Sequence, residues 1–295
     1  MKATAFVSHY DCSRHDTGWG NPDHQGRLPG LMRAVYADML TLFEPLLEME
    51  GRHATEAELE RVHSRSYLDE VRSWVAEATA SGGPVTVGPT LVASAATWEA
   101  SLAAVGCALT GIEAVVDGRS RNAFCAVRPP GRDATADAPG AFGFLNPVAA
   151  AVAHLLSLGI ADRVLVVEWG ESRTCLAPVP SSSVRLAGVG DLAADADGET
   201  FLSSTADALA RVVEEFAPEF VILSAGFDCL VGDPVAGRNL LPRDFYAATE
   251  LVRDLSEREC SGRLVSILEG GYDARPLGAA GVQHLRALAG LPRPV

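Results

Sequence analysis

The chain has 295 residues, 48% hydrophobic and 21% charged, with 28 Gly and 17 Pro, which is an ordinary globular composition. Its 38 Asp and Glu against 24 Lys and Arg leave a net charge of -14, and a surface this acidic repels phosphate backbones and anionic lipid, which argues against nucleic acid or a membrane as the primary partner. Lys2 is the only lysine, so Schiff-base lysine chemistry is all but excluded. The start, Met1-Lys2-Ala3-Thr4-Ala5-Phe6-Val7, carries one positive charge and too short an apolar run for a signal peptide, and no uninterrupted apolar stretch reaches the roughly 18 residues of a membrane span. The expectation is a cytoplasmic protein. Six scattered cysteines, Cys12, Cys107, Cys125, Cys175, Cys229 and Cys260, form no Cys-x-x-Cys pair and read as free thiols.

Short apolar runs rich in β-branched residues alternate with helix-length segments. In chain order the pattern predicts a strand at 4–8, a Gly/Pro-rich loop at 81–89, a helix at 98–116 and a strand at 123–127. It continues with a helix at 147–158, a strand at 163–168, a loop at 178–183 and a helix at 205–216. The last elements are a strand at 220–224, a helix at 242–258, a strand at 264–268 and a helix at 276–289. Pro147, Pro242 and Pro276 suit first helical turns. Buried strands separated by crossover helices predict a doubly wound α/β fold with a mostly parallel sheet. Strand–helix alternation persists across both loops, so residues 1–295 are expected to form a single domain.

Parallel sheets bind ligands beyond the carboxyl ends of their strands. Four consecutive predicted strands are followed there by Arg128-Pro129-Pro130-Gly131-Arg132-Asp133, Trp169-Gly170-Glu171-Ser172-Arg173, Ala225-Gly226-Phe227-Asp228 and Glu269-Gly270-Gly271-Tyr272-Asp273. Each alone reads as turn chemistry, with Gly and Pro shaping loops and Asp capping helices. Their coincidence at four strand ends points to one pocket.

These motifs resemble those of the histone deacetylase superfamily, which includes acetylpolyamine amidohydrolases and acetoin-utilisation proteins, and most of all its bacterial class II-like members. The resemblance covers nearly the whole chain, through His15-Asp16-Thr17-Gly18, Val62-His63-Ser64 with Tyr67-Leu68, and Asn122-Ala123-Phe124 leading to Arg128-Pro129-Pro130-Gly131. It continues through Phe144-Leu145-Asn146, Val164-Leu165-Val166-Val167, Ser224-Ala225-Gly226-Phe227-Asp228 with Gly232-Asp233-Pro234, and Leu268-Glu269-Gly270-Gly271-Tyr272. It implies a three-layer arginase-deacetylase fold with helices on both faces of the sheet. It also implies zinc hydrolysis of an acetamide, in which an Asp-x-His pair and a second Asp hold the metal, a His pair handles protons and a Tyr donates to the oxyanion.

Asp228 and Tyr272 match the second metal Asp and the oxyanion Tyr of that family. Where the family has Asp-x-His, this chain has Gly170-Glu171-Ser172, and where it has His-His, this chain has Arg132-Asp133. A catalytic zinc is held by three protein ligands, and Asp228 alone supplies one. The resemblance, so altered, predicts that the zinc site and its deacetylase reaction are lost and that no cofactor is needed. A carboxylate site of Glu168, Glu171 and Asp228 for Mg²⁺ or Ca²⁺ is the alternative. A buried Asp228 without a metal requires a counter-charge, and the sequence predicts a salt bridge from Arg132 or Arg173 at the old metal position.

The pocket is therefore expected to bind a small ligand, anionic if Arg132 and Arg173 receive it, or to run metal-independent acid–base chemistry. In that chemistry Asp133 or Asp228 is the general base and Tyr272 the general acid. A functional amidohydrolase of acetyl-lysine or acetylpolyamine-like amides with an altered metal remains the alternative. Phe142 and Phe227 match aromatic walls of the family's acyl-lysine tunnel, with core packing as the other reading. His15 is a candidate for the pocket entrance, Asp16 a candidate cap for its loop, and Cys175 reads as an inert thiol.

Overall fold

The structure is a computed structural model and describes residues 2–293 apart from Ser172, Gly190 and Asp191. Its centre is a seven-stranded sheet in the order β2-β1-β5-β9-β8-β6-β7, with every neighbouring pair parallel. The strands are β1 (Thr4–Ser8), β2 (Leu46–Glu50), β5 (Asn122–Cys125), β6 (Val164–Trp169), β7 (Val184–Gly188), β8 (Phe220–Ala225) and β9 (Leu264–Leu268). A separate two-residue antiparallel pair, β3 (Val85–Thr86) with β4 (Val92–Ala93), decorates the loop predicted at 81–89.

The inner strands β5, β6, β8 and β9 are buried at every residue, which is why they read as continuous apolar runs. The two strands that the sequence pattern misses, β2 and β7, are the edges. Both leave residues exposed to solvent, and Leu46-Leu47-Glu48-Met49-Glu50 is composed of residues that favour helices. Pairing with β1 overrides that preference.

The helices are α1 (Arg27–Ala37), α2 (Met39–Leu42), α3 (Glu56–Leu59), α4 (Arg65–Ser81), α5 (Thr97–Val116), α6 (Pro147–Ser157), α7 (Gly198–Val213), α8 (Pro242–Cys260) and α9 (Ala274–Leu288). α5 is long and apolar enough to cross a membrane by composition, yet 78% of its most apolar window is buried inside the protein. It packs on β1, β5, β9 and α6 as a core helix. Gly106 permits this, because a Cβ there would lie 1.8 Å from the Arg52 carbonyl oxygen. α7 begins at Gly198, seven residues before the predicted start, because Asp197 caps it by accepting the Thr200 amide at 3.0 Å.

Two buttresses fix the strand-end loops. Asn146 caps α6 through the Ala149 amide at 2.8 Å, while its Nδ2 donates to the carbonyls of Arg132 at 2.8 Å and of Ala134 and Cys175, each at 3.0 Å. His63 receives the Asn146 amide on Nε2 at 3.0 Å and donates Nδ1–H to the Thr135 carbonyl at 2.8 Å. All six cysteines are free, and all but the half-buried Cys175 are buried.

Candidate functional site

The loop after β5 and the ends of β8 and β9 line one small cavity, and Gly170, after β6, packs against its Arg132 and Asp228. The cavity is lined by Arg132, Asp133, Phe142, Asp228, Glu269 and Tyr272, with Pro130 and Gly270 closing the floor. Its volume of about 10 Å³ is room for no more than a water molecule. Phe142 and Tyr272 close the mouth, with ring centroids 4.7 Å apart. Tyr272 also lines an open cleft of about 440 Å³ with Trp19, His24 and Asp273, so it stands between the cavity and solvent.

Arg132 is buried. Its Nη1 donates to the Trp169 carbonyl in a short hydrogen bond and more weakly to Ser224 O and Oγ, each at 3.4 Å. The salt bridge predicted between Arg132 and Asp228 is not formed: no nitrogen of this guanidinium comes within 4 Å of the carboxylate. The carbonyls at the ends of β6 and β8 take the Nη1 donors, and the aspartate lies beside the guanidinium without touching it.

Gly170 shows how closely the two heads approach. Its φ is +100°, and a Cβ built there would lie 2.2 Å from Asp228 Oδ1 and 2.7 Å from Arg132 Nη2. Gly226 and Gly270 crowd the same carboxylate: a Cβ built on them would lie 3.1 Å from Oδ1 and 2.8 Å from Oδ2 respectively. Asp228 Oδ2 accepts the Glu171 amide at 3.3 Å, while Oδ1 is buried with no hydrogen-bond partner. An acceptor buried without a donor destabilises the fold unless a ligand, water or proton reaches it.

Glu269 has the same character, and sequence reasoning gave it no role. Its Oε2 accepts the amides of Gly131 and Arg132 at 2.9 and 3.2 Å, and its Oε1 is buried without a partner. Burial pushes its carboxyl up to about 7, against the pull of the Arg132 guanidinium and the two amides. A carboxyl poised there exchanges a proton at neutral pH. The signal was present as an acid at a buried strand end, one residue past β9. Tyr272 is raised well above the ordinary phenol value, chiefly by burial, and its ring also packs under the Arg27 guanidinium at 4.6 Å. It stays protonated and able to donate.

Of the other predicted residues, Asp133 and Phe142 reach the cavity. Asp133 Oδ2 also accepts the Ala141 amide at 2.8 Å, which holds the loop that carries Phe142. Phe227 is core: it packs on Phe245 and His284, with centroids 4.9 and 5.7 Å away. His15 is fully buried away from the cavity, against Thr97 Oγ1 at 2.9 Å and the edge of Phe144. Asp16 does cap its loop, through the Gly18 amide at 2.9 Å. Arg173 is exposed, and Ser172 lies outside the described residues.

Glu168, Glu171 and Asp228 do not converge. Glu168 Oε2 accepts the Thr174 amide at 2.7 Å, while the Glu171 carboxylate is turned outward to Arg238 at 2.7 Å. Strand alternation explains the split, since Glu171 follows a Gly170 whose positive φ redirects the chain.

Residues 21–170 and 189–288 match the histone deacetylase domain model. The chain is similar to Polyamine deacetylase HDAC10 of Homo sapiens, 27% identical, over 99% of this chain and 49% of that protein. It spans about half the length of that relative. It is also similar to the Histone deacetylase-like amidohydrolase of Pseudomonas aeruginosa, 25% identical over 92% of this chain and 77% of the other. Among solved structures, the HDA15 HD domain superposes with a TM-score of 0.85 at 22% identity, covering 98% of this chain and 89% of that one. The parallel sheet flanked by helices, the strand-end pocket and the family match agree, and this chain belongs to the histone deacetylase domain family.

Proposed function

We propose that this histone-deacetylase-fold protein no longer performs zinc-dependent deacetylation. Its strand-end pocket instead takes a small molecule and handles protons without a metal. The observation that carries the reading is the packing at Gly170: the Arg132 and Asp228 heads fill the space that a side chain at residue 170 would need. An aspartate there would meet both, at a backbone φ of +100° that disfavours any side chain.

The donor set does not fit zinc. Around the Asp228 carboxylate stand a guanidinium, three glycines and a backbone amide, which is one anionic ligand and one cation. Glu269, the other carboxylate of the cavity, is committed to the Gly131–Arg132 turn through one oxygen.

The remaining chemistry is that of acceptors and a donor. Asp228 Oδ1 and Glu269 Oε1 are buried acceptors without donors, and Tyr272 offers a phenol proton. An anionic ligand has only Nη2 and Nε of Arg132 to meet, since Nη1 is spent on carbonyls, and the two bare carboxylate oxygens beside them repel it. A donor-bearing group, an amine or hydroxyl, suits two bare carboxylate oxygens. In this arrangement Glu269 or Asp228 accepts a proton from the bound group and Tyr272 returns one. Entry requires the Phe142 and Tyr272 rings to part.

A second reading, hydrolysis of acetyl-lysine or acetylpolyamine-like amides on a metal, draws on the printed activities of the relatives. One experiment separates them: metal-stripped protein is equilibrated with zinc and assayed on acetyl-lysine and acetylpolyamine amides with and without chelator, as wild type and Asp228→Asn. The expected result is no chelator-sensitive turnover and no zinc that depends on Asp228. Chelator-sensitive hydrolysis lost together with zinc in Asp228→Asn would overturn the proposal and select the second reading.

A further inference from the structure

We infer that His9, Asp11 and His53, supported by Glu99, form a binding site for a borderline divalent metal ion such as zinc or nickel, apart from the strand-end pocket. His9 and Asp11 follow β1, His53 follows β2, and Glu99 lies in the first turn of α5. The neighbouring parallel strands β1 and β2 bring the two histidines together, with ring centroids 4.7 Å apart.

Lone-pair geometry carries the argument. His53 Nε2 lies 2.9 Å from Asp11 Oδ2, and His53 Nδ1 lies 3.3 Å from Glu99 Oε2. A neutral imidazole has one ring proton, so one of these two contacts brings acceptor against acceptor unless a second proton or a metal cation sits between them. With the proton on Nδ1, facing Glu99, Nε2 presents its lone pair beside Asp11 Oδ2. A carboxylate behind the far nitrogen is the arrangement that orients metal-binding histidines.

His9 supplies the third donor. Its Nδ1 accepts the Asp11 amide at 3.1 Å, so that nitrogen is unprotonated, and it stands 3.6 Å from Asp11 Oδ2. One ligand atom from each of the three residues falls within 4.8 Å of the others. Tetrahedral ligands on bonds of about 2.0–2.1 Å are about 3.3 Å apart, and the separations of 2.9 and 3.6 Å bracket that value. Closing the set costs His9 its bond to the Asp11 amide. Arg14 occupies only the other oxygen, Asp11 Oδ1, at 2.9 Å.

The side chains of His9, Asp11 and His53 are 16%, 13% and 35% exposed, so an ion can enter without unfolding the site. His9 also borders a cleft of about 290 Å³ with Tyr10, Tyr36, Glu48 and Glu50, whose carboxylates concentrate cations beside it. Two imidazoles and a carboxylate select zinc, nickel or copper over magnesium or calcium.

The test is calorimetric titration of the metal-stripped full chain with Zn²⁺ and with Ni²⁺. One equivalent should bind in the micromolar range, at least tenfold more weakly in His9→Ala and in His53→Gln, and severalfold more weakly in Glu99→Gln. Asp228→Asn should bind as wild type, which keeps this site distinct from the zinc question of the pocket. Thermal melts of the metal-free variants check folding, and the zinc-induced rise in Tm of the wild type should vanish in His53→Gln. No saturable binding, or binding that survives both histidine substitutions, overturns the inference. Binding abolished only by Asp228→Asn overturns it as well, and with it the proposed loss of the pocket's metal.

Discussion

Glu269 holds the turn that carries Arg132: its Oε2 accepts the amides of Gly131 and Arg132 at 2.9 and 3.2 Å, while its Oε1 is buried without a donor. The arginine that sits against the aspartate of the pocket is thus positioned by the acid of the neighbouring strand. Side chain and backbone of Arg132 are fixed by different strands, β6 and β8 for the head through Trp169 and Ser224, β9 for the turn through Glu269.

Replacing Gly170 tests that packing. Gly170→Ala places a Cβ 2.2 Å from Asp228 Oδ1 at a φ of +100°, and strain of this kind destabilises by about 1–3 kcal/mol before the displaced charges are counted. Chemical denaturation should show at least that loss, and a stability equal to wild type would contradict the close packing of Arg132 and Asp228.

The Arg132–Asp228 pair should couple strongly without touching. Arg132→Met leaves the buried Asp228 carboxylate without a nearby cation and should destabilise by about 3–5 kcal/mol. Adding Asp228→Asn should restore part of that loss, so a double-mutant cycle in urea should report a coupling of about 1–3 kcal/mol. Additive effects would show that the guanidinium does not compensate the aspartate.

The pH dependence of stability follows from opposed buried groups. Glu269 is raised to about 7 in the folded state, so its favourable contribution is complete below its ordinary value near 4.5. That contribution, about 3 kcal/mol, is lost as pH rises from there through 7. His63 is lowered to about 4 and His284 to about 3, both chiefly by burial. Their contributions are complete above about 6.5 and are lost as pH falls through the folded values. Between pH 4.5 and 6.5 the acid and the histidines oppose each other, so Glu269→Gln should steepen the rise of stability with pH. Urea midpoints at pH 5 and pH 8 measure it. A variant whose slope matches wild type would place the proton elsewhere.

Access to the cavity should depend on Phe142. Phe142→Ala removes the ring that lies 4.7 Å from Tyr272 and opens a cavity of about 10 Å³ toward the cleft beside Trp19. Small amines monitored by Trp19 fluorescence should then associate about tenfold faster, while Tyr272→Phe should leave the rate near wild type and weaken retention of the ligand by about 0.5–1.5 kcal/mol for one lost hydrogen bond. Equal association in wild type and Phe142→Ala would mean that the rings are not the gate.

The amino-acid sequence by itself determined the inner sheet. β1 and β9 fall at their predicted bounds and β5, β6 and β8 within two residues of theirs, because strands buried on both faces read as near-continuous apolar runs. It also pointed to the pocket, since polar turns coincide at four predicted strand ends, and Asp228, Tyr272, Asp133, Arg132 and Phe142 line one cavity. The tertiary structure alone decided the rest. The edges β2 and β7 carry no such pattern, because one side of an edge strand answers to solvent. That Arg132 gives its donors to Trp169 and Ser224 rather than to Asp228 depends on which carbonyls stand at the ends of β6 and β8. That Glu269 titrates near neutrality depends on its burial, and a one-dimensional pattern carries neither distance nor dielectric. His53, more than forty residues from His9 and Asp11, meets them because β1 and β2 lie side by side.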